Sequence, residues 1–398
     1  MSPATGLNSP LLPDNHKTEE KEKGASLSGA VFNVSTSIIG AGIMSIPATF
    51  KVLGVIPAFV LVMVIAWLTY ISAELLMRFT HAGEATTYGG VMREAFGPVG
   101  SMAVQVCVVI ANLGCLITYL IIMGDVLAGT VHEGSVHLGV LQEWFGIHWW
   151  NTRAFAMLFV VVFVMLPLVL FRRIESLKFS SAISVLLALV FVGISSGMAI
   201  YAIVQGNTKT PRWLPQIDDQ ASFFNLFTAV PVIVTAFTFH FNAHSIGFEL
   251  RQPSAMMSAV KVSLVLCAAI YFATGIFGYL LFGESTMSDI LVNFDQSSGT
   301  AIGALLNDIV RLSYAFHLMP VFPLVNFSMR GNIDEFLFPN KPALANDTTR
   351  FLSLTLSLLA LIYVAAIAIP NIWYVFQFVG STAAVSIAFI FPGAIVLR

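Results

Sequence analysis

The sequence predicts an all-α polytopic membrane protein with ten spanning helices arranged in two inverted halves. Three observations lead to this fold class: the composition, ten apolar segments of spanning length, and the distribution of basic residues and loop lengths. Hydrophobic residues make up 57% of the 398 residues and charged residues only 10%, whereas soluble domains carry about 25% charged residues. Because so few charges cannot cover a soluble globule of this size, lipid must surround most of the chain.

Ten segments have the length and apolar character of membrane helices. A helix rises 1.5 Å per residue, so crossing the bilayer takes about 20 mostly apolar residues. The segments lie near residues 27–48, 53–77, 99–128, 153–171, 179–204, 223–249, 257–282, 304–328, 351–369 and 374–397. They predict ten spans.

The basic residues predict the orientation. Fourteen of the 19 Lys and Arg residues lie before, between or after the ten segments on the side of the N-terminus, and four lie on the opposite side. Lys and Arg are enriched in cytoplasmic loops, so we expect a cytosolic N-terminus. Residues 1–24 are polar and lack the apolar region of a signal peptide, so we expect a disordered cytosolic tail.

The loop lengths repeat. In the first half they run very short, long, long and short, and the same order returns after the fifth segment. Two consecutive five-helix units have opposite orientations because five is an odd number. The pattern therefore predicts an inverted repeat, common among secondary transporters, with residues 25–205 and 206–398 as its halves.

The motifs of common enzyme classes are missing from the sequence. The three cysteines lie in apolar segments without metal-binding spacing, and no zinc-protease, nucleotide-loop or serine-hydrolase motif is found. We therefore expect no enzymatic activity, no metal and no cofactor. The net charge of −2 gives no basic field for a nucleic acid.

Two corresponding segments are poor continuous helices. The first contains Gly40-Ala41-Gly42 after a run of serine and threonine, and the sixth contains Pro231, several hydroxyl side chains and a histidine. Inverted-repeat transporters interrupt corresponding helices at the substrate site, and an unwound turn leaves peptide groups unpaired inside the bilayer. We expect both spans to be broken near their midpoints.

Two such breaks suit a zwitterion. A half-helix N-terminus offers free N–H groups to a carboxylate, so Gly40, Ala41 and Gly42 are expected to bind one. Free carbonyls suit an ammonium group, and we expect them near Ile38, Ile39 and residues 235–237. The predicted substrate residues of the sixth span are Thr235, Ala236, Phe237 and Thr238. Alternatively, the glycines only allow close helix packing.

Polar residues in other segments give further candidates. Asn112 and Tyr119 share the polar face of the third helix and are expected to line the pocket, or else to form interhelical hydrogen bonds. His240 and His317 lie within spans, where ionisable groups are often functional, so they are candidates for proton coupling. The alternative for His240 is a neutral ring hydrogen-bonded to a neighbouring backbone group.

Asp308 and Arg311 are spaced i, i+3 at the start of the eighth helix. This spacing places them on one helix face. We expect a structural ion pair near the interface, with a role in an extracytosolic gate as the alternative.

The run from Asn33 to Pro47 and the stretch Ala236-Phe237…His240 with Gly247-Phe248-Glu249-Leu250 resemble the amino acid/auxin permease family. The resemblance covers about residues 25–398 and is strongest to its plant and fungal vacuolar branch. It implies a LeuT-like fold, a 5 + 5 inverted repeat, and amino acid transport by alternating access. Family members typically have eleven helices, so the resemblance also implies that a last helix is missing from this chain.

The resemblance also bears on the coupling ion. Sodium-coupled relatives place an asparagine in the first helix where this chain has Thr36, and a hydroxyl in the eighth helix where it has the apolar run from Met319 to Phe322. These differences favour proton coupling or exchange over sodium. Thr36 is retained as a candidate coupling residue.

Together these observations predict a secondary active transporter of amino acids, with neutral ones favoured, in the vacuole or another endomembrane. The plasma membrane is the alternative location. A sodium-coupled symporter, an amino acid sensor without turnover and an ion channel are the alternative functions. The sequence does not determine the oligomeric state.

Overall fold

The computed structural model describes residues 26–132, 135–170, 178–250, 253–295, 300–338, 341, 344–369 and 371–398. The predicted disordered tail, residues 1–24, lies outside the described residues. Each of the ten predicted segments is helical, which confirms an all-α polytopic membrane protein. We number these segments as spans 1 to 10.

Spans 1, 2, 4 and 5 begin close to their predicted positions, whereas span 3 does not. Span 1 consists of Leu27–Ile38, a 3-10 turn at Ala41–Ser45 and Ile46–Leu53, and the remaining four are Val55–Ala82, Tyr88–Ala128, Arg153–Val169 and Lys178–Val204. Span 3 begins eleven residues early because the helix continues through a kink, where Gly97 has a φ of 68° before Pro98. This left-handed conformation favours glycine.

Spans 6 to 10 follow in the second part of the sequence. Span 6 consists of Gln220–Leu226, Ala229–Phe237 and His240–Glu249, and the remaining four are Met256–Phe282, Ala301–Leu337, Thr348–Ala368 and Ile372–Val396. Span 8 continues nine residues beyond the predicted end, so the loop before span 9 is shorter than expected. Span 10 contains two π turns, at Gly380–Ala384 and Ser386–Ile390.

Within the described part of the chain, seven helices are long and apolar enough to cross a membrane, and the bent pair of span 1 makes eight. Span 4 is a shorter apolar helix, and span 8 is a 37-residue helix. We call the membrane side where Leu27 begins span 1 the tail side, and the side where Leu53 ends it the far side.

Small elements lie between the spans on the far side. A two-stranded antiparallel hairpin, Thr130–His132 with Ser135–His137, follows span 3, and a short helix, Val140–Phe145, follows the hairpin. Span 7 is followed by 3-10 turns at Gly283–Ser285 and Ile290–Asp295.

The spans form two packing groups that spans 5 and 10 connect. Span 7 packs against spans 1, 2 and 5, while span 8 packs against spans 3, 4 and 5, and span 3 also contacts spans 4, 9 and 10. Span 6 contacts spans 1, 2 and 10, and span 10 also contacts span 2. Spans 1, 2, 6 and 7 thus make up one group, and spans 3, 4, 8 and 9 make up the other.

Candidate functional site

Span 1 is broken at the predicted position. Its first helix ends at Ile38, and Ile39 and Gly40 have extended backbone conformations before a 3-10 turn begins at Ala41. Gly40 is the N-cap of that turn, so the N–H groups of Ala41 and Gly42 are its first donors and have no acceptor within the turn. These two groups are among those that the sequence analysis expects to bind a carboxylate.

Span 6 is broken at the matching depth. One helix ends at Phe237, Thr238 is extended, and a new helix begins at His240. The Thr238 hydroxyl donates a hydrogen bond of 2.7 Å to the carbonyl of Val234. This bond satisfies one of the carbonyls that the end of the helix would otherwise leave unpaired.

A single tyrosine joins the two breaks. The Tyr271 hydroxyl in span 7 lies 2.7 Å from the carbonyl oxygen of Ile38 and 2.9 Å from that of Ala236. Both carbonyls end a helix inside the bilayer, where an unpaired peptide group costs several kcal/mol. The single hydrogen of this hydroxyl is thus shared by two of the carbonyls predicted to receive an ammonium group.

A second tyrosine supports the extended turn. The Tyr314 hydroxyl in span 8 donates a hydrogen bond of 2.7 Å to the carbonyl of Gly40. Sequence reasoning missed both Tyr271 and Tyr314, although a tyrosine in a buried helix usually finds a partner for its hydroxyl. That signal would have marked them as candidates without naming their partners.

The two breaks share a cavity of about 520 Å³. Ten of the predicted site residues line it: Thr36, Gly40, Ala41, Gly42, Asn112, Tyr119, Thr235, Ala236, Thr238 and His317. The structure therefore brings residues of spans 1, 3, 6 and 8 together. Ile39, Phe237 and His240 are not among the lining residues.

The cavity extends toward the tail side. Its lining includes Phe32 and Asn33 before the first break, Ser245 after the second, and Ser328 near the end of span 8. Phe32 is 44% exposed, so this end of the cavity opens at the protein surface. The lining of span 1 stops at Gly42, and the next residues toward the far side are buried.

The two glycines of span 1 have different surroundings. A Cβ atom on Gly42 would lie 2.8 Å from the Cβ of Ala236, so Gly42 allows spans 1 and 6 to pack closely. A Cβ atom on Gly40 would lie 3.3 Å from the Tyr119 hydroxyl oxygen. Gly42 therefore has the packing role that was the alternative prediction, while Gly40 leaves space in front of Tyr119.

Asn112 and Tyr119 line the same wall of the cavity. Both are buried, at 2% and 5% exposure. The Asn112 side-chain nitrogen has no hydrogen-bond partner among the described residues. A buried donor without a partner is costly, and Asn112 belongs to the lining of a space large enough for a ligand.

The three predicted coupling residues have separate environments. His240 is fully buried outside the cavity, with its Nε2 atom 2.8 Å from the Ser72 hydroxyl. His317 lines the cavity and its ring lies 4.9 Å from that of Tyr314. The Thr36 hydroxyl also faces the cavity, but it donates to carbonyls of its own helix, Phe32 and Asn33.

The expected pairing of Asp308 with Arg311 is replaced by other contacts. Arg311 is 1% exposed and donates to Glu143 at 2.6 Å, while Asp308 accepts a hydrogen bond of 2.9 Å from the Trp144 ring nitrogen. The helix Val140–Phe145 folds over the start of span 8 and supplies both partners. Burial raises the pKa of the Glu143 carboxyl, and the positive charge and hydrogen bond of Arg311 offset part of this rise.

No group of three His, Cys, Asp or Glu side chains within the described ranges is placed to hold a metal ion. The geometry instead offers peptide N–H groups, hydroxyls and the three side-chain amides of Asn33, Asn112 and Asn242 around a space of ligand size. Such a site suits a small polar molecule bound by hydrogen bonds.

Comparison with known proteins gives the family. Residues 23–398 match the family described as transmembrane amino acid transporter protein. Amino acid transporter AVT6C of Arabidopsis thaliana is 64% identical over 98% of this chain and 89% of its own length. Amino acid transporter AVT6D of the same plant is 60% identical over 100% of this chain and 90% of its own.

A more distant relative comes from an animal. Sodium-coupled neutral amino acid transporter 7 of Danio rerio is 25% identical over 96% of this chain and 81% of its own length. These relatives are named as transporters rather than enzymes, which confirms that the chain is not an enzyme. The chain belongs to the transmembrane amino acid transporter family, the amino acid/auxin permease family that its broken first span resembles.

Proposed function

We propose that this protein is a secondary active transporter of neutral amino acids that binds its substrate between the breaks of spans 1 and 6. The observation that carries the proposal is the shared cavity of about 520 Å³ at two matched helix breaks. The substrate carboxylate binds the N–H groups of Ala41 and Gly42, since a helix N-terminus favours an anion.

The ammonium group binds on the opposite wall. Because Tyr271 already occupies the carbonyls of Ile38 and Ala236, the ammonium binds the remaining lone pairs of these carbonyls or that of Ile39. A carbonyl oxygen has two lone pairs. Asn112 and Tyr119 close this pocket toward span 3.

Transport proceeds by alternating access in a LeuT-like 5 + 5 repeat. The two packing groups support this mechanism, because spans 1, 2, 6 and 7 can move against spans 3, 4, 8 and 9 without disrupting either set. The cavity open to the tail side corresponds to one end state. The tail side is cytosolic and the membrane is the vacuole or another endomembrane.

The driving ion is a proton, or the protein exchanges one amino acid for another. The intrahelical hydrogen bonds of Thr36 and the apolar run Met319–Phe322 give little support to a sodium site. His317 and His240 are the coupling candidates within the spans.

Flux through the purified protein tests the proposal. Liposomes containing the protein receive labelled neutral amino acids, with proton and sodium gradients imposed separately and with unlabelled amino acid inside for counterflow. We expect saturable uptake with a proton gradient or counter-substrate. Uptake driven only by sodium would indicate a sodium symporter, binding without flux a sensor, and unsaturated currents a channel.

Two matched glycine variants test the site. Gly40→Val places a side chain against the Tyr119 hydroxyl and should reduce uptake at least about tenfold, equivalent to about 1.4 kcal/mol of binding. Gly331→Val is the control, because a Cβ there meets no atom within 4 Å. Equal uptake by the two variants would contradict the proposed carboxylate site.

A further inference from the structure

The loop from Thr286 to Asp295, after span 7, closes the far side. The Ser45 hydroxyl in span 1 donates 2.6 Å to the carbonyl of Ser288, and the Ser288 hydroxyl donates 2.7 Å to Asn371 before span 10. Ile290–Phe294 are buried. Since this loop joins spans from both packing groups, opening of the far side requires these contacts to break.

A carboxyl group is buried within this loop. Asp289 is 3% exposed, and one of its oxygens accepts a hydrogen bond of 3.0 Å from the Leu291 N–H. The other oxygen, Oδ2, is buried and has no partner among the described residues. An ionised carboxylate in this position would lose its hydration at Oδ2 with no hydrogen bond to replace it.

The neighbouring charges do not neutralise Asp289. Arg153 pairs with Asp125 at 2.8 Å, and Arg311 pairs with Glu143 at 2.6 Å. Asp289 interacts electrostatically with Asp125 and with Arg311. Three carboxylates therefore share two guanidinium groups, and both guanidinium groups already have a partner.

Other titratable groups near the loop do not supply the missing charge. The loop packs against span 8, span 3 and the turn Ala41–Ser45, and this turn contains no titratable residue. Span 8 contributes Tyr314, which interacts electrostatically with Asp289. The loop's own Asp295 is paired with His137 at 2.8 Å.

One further cation reaches the loop at its other end. Lys51 donates to the carbonyl of Thr286 at 3.1 Å. It is not among the groups that interact electrostatically with Asp289. Within the described part of the chain, the closed loop therefore holds one carboxyl group without a cation of its own.

We propose that Asp289 is the proton-binding residue of the far-side gate. Its carboxylate takes one proton from the far-side solution when the loop closes, forming an O–H bond, and returns it to water when the loop opens. No electron is transferred. The proposal rests on the proposed function, because it assumes that the far side opens during transport.

The direction of the pH effect follows from the two states. Burial, with a further contribution from Asp125, raises the pKa of Asp289 to about 8 in the closed loop, whereas a hydrated aspartate has a pKa of about 3.9. Between these values closing binds a proton, so each unit of acidification on the far side favours closing by up to about tenfold. Above a pH of about 8 the carboxyl is ionised in both states, so closing no longer depends on the far-side pH.

Asp289→Asn tests the proposal because asparagine resembles the protonated carboxyl. Counterflow is measured in proteoliposomes with the far-side pH varied between 5.5 and 7.5 and the tail-side pH held constant. We expect the wild-type closing step to accelerate with acidification, and the variant to be independent of far-side pH. Asp308→Asn removes a half-buried carboxylate on the same side and should keep the wild-type dependence.

A second measurement uses the wild type alone. Cys115 lines the cavity, which is open to the tail side when the far side is closed. The rate at which a thiol reagent added on the tail side labels Cys115 therefore measures how often the far side is closed. Its labelling should increase as the far-side pH falls from 7.5 to 5.5. Labelling that does not change with far-side pH would overturn the proposal even if Asp289→Asn fails to fold.

The two proposals fail in different ways. Absence of any amino acid flux in the wild type refutes transport, whereas flux with pH dependence intact in Asp289→Asn refutes only the gate. His317→Gln should retain the dependence on far-side pH. Loss of that dependence in His317→Gln, with its retention in Asp289→Asn, would assign the proton to His317 instead.

Discussion

The cavity is open toward the tail side and closed toward the far side. Toward the tail side, the lining is a mixture of hydroxyl, amide and apolar side chains, and Asn242 and Ser37 make a long contact of 3.4 Å between spans 6 and 1. Toward the far side, a buried loop packs against the turn Ala41–Ser45, and two arginine–carboxylate pairs interact with or lie beside its Asp289. The sealed end therefore depends on charge, so its opening should respond to pH and to charge substitution.

Removing Arg311 should produce the largest effect. Arg311→Met leaves the Glu143 carboxylate without its cation and removes a cation that interacts electrostatically with Asp289. Breaking a buried pair costs about 3–5 kcal/mol, and the cost here should lie at or below the lower end because Glu143 remains 26% exposed. We expect the far side to open more often.

Labelling measures that opening. In an Arg311→Met protein that also carries Ser45→Cys, an impermeant thiol reagent on the far side should react faster than in the single Ser45→Cys protein, in which position 45 is fully buried. Unchanged labelling would show that the ion pair does not contribute to the seal.

Removing the hydroxyl of Tyr271 should have an intermediate effect. Tyr271→Phe leaves the carbonyls of Ile38 and Ala236 without a donor, and an unsatisfied buried group costs about 1–3 kcal/mol. We expect a lower melting temperature in detergent and reduced counterflow. Tyr374→Phe, at a residue that is 61% exposed, should melt like the wild type, and a similar result for Tyr271→Phe would refute the bridging role.

The exposed contacts of the far side should contribute least to the stability of the protein. Trp144→Phe removes the hydrogen bond to Asp308, but Trp144 is 55% exposed and water can replace its partner. The net value of such a bond is about 0.5–1.5 kcal/mol, with exposed ones at the low end. A melting temperature far below that of the wild type would show that the seal extends further outward than the buried pairs.

The sequence predicted the spans and the breaks because their signals are local. Apolar length identifies a spanning helix, and Gly40-Ala41-Gly42 is a poor helix wherever it occurs. The structure confirms the breaks at these positions. The beginning of span 3 was misplaced because Gly97-Pro98 is typical of a helix end, whereas here it only kinks a helix that starts at Tyr88.

The site was only partly predictable because its closure depends on pairs that are distant in the sequence. Tyr271 reaches Ile38 across 233 positions, and Arg311 reaches Glu143 across 168. The i, i+3 spacing with Asp308 suggested a local partner, but the helix Val140–Phe145 offers a closer one. Asp289 carries no local signal because its burial depends on the folding of the loop around it.

The central claim is that an amino acid occupies the cavity between the two helix breaks. Two native cysteines of span 3 test it in the unaltered protein: Cys115 lines the cavity, and Cys107 is partly exposed outside it. With a membrane-permeant thiol reagent and mass spectrometry, the labelling rate of each is measured with and without saturating neutral amino acid. We expect at least about tenfold slower labelling of Cys115 with no change at Cys107, and the loss of this protection in Gly40→Val. Equal rates at Cys115 with and without amino acid, in a protein that transports, would contradict it.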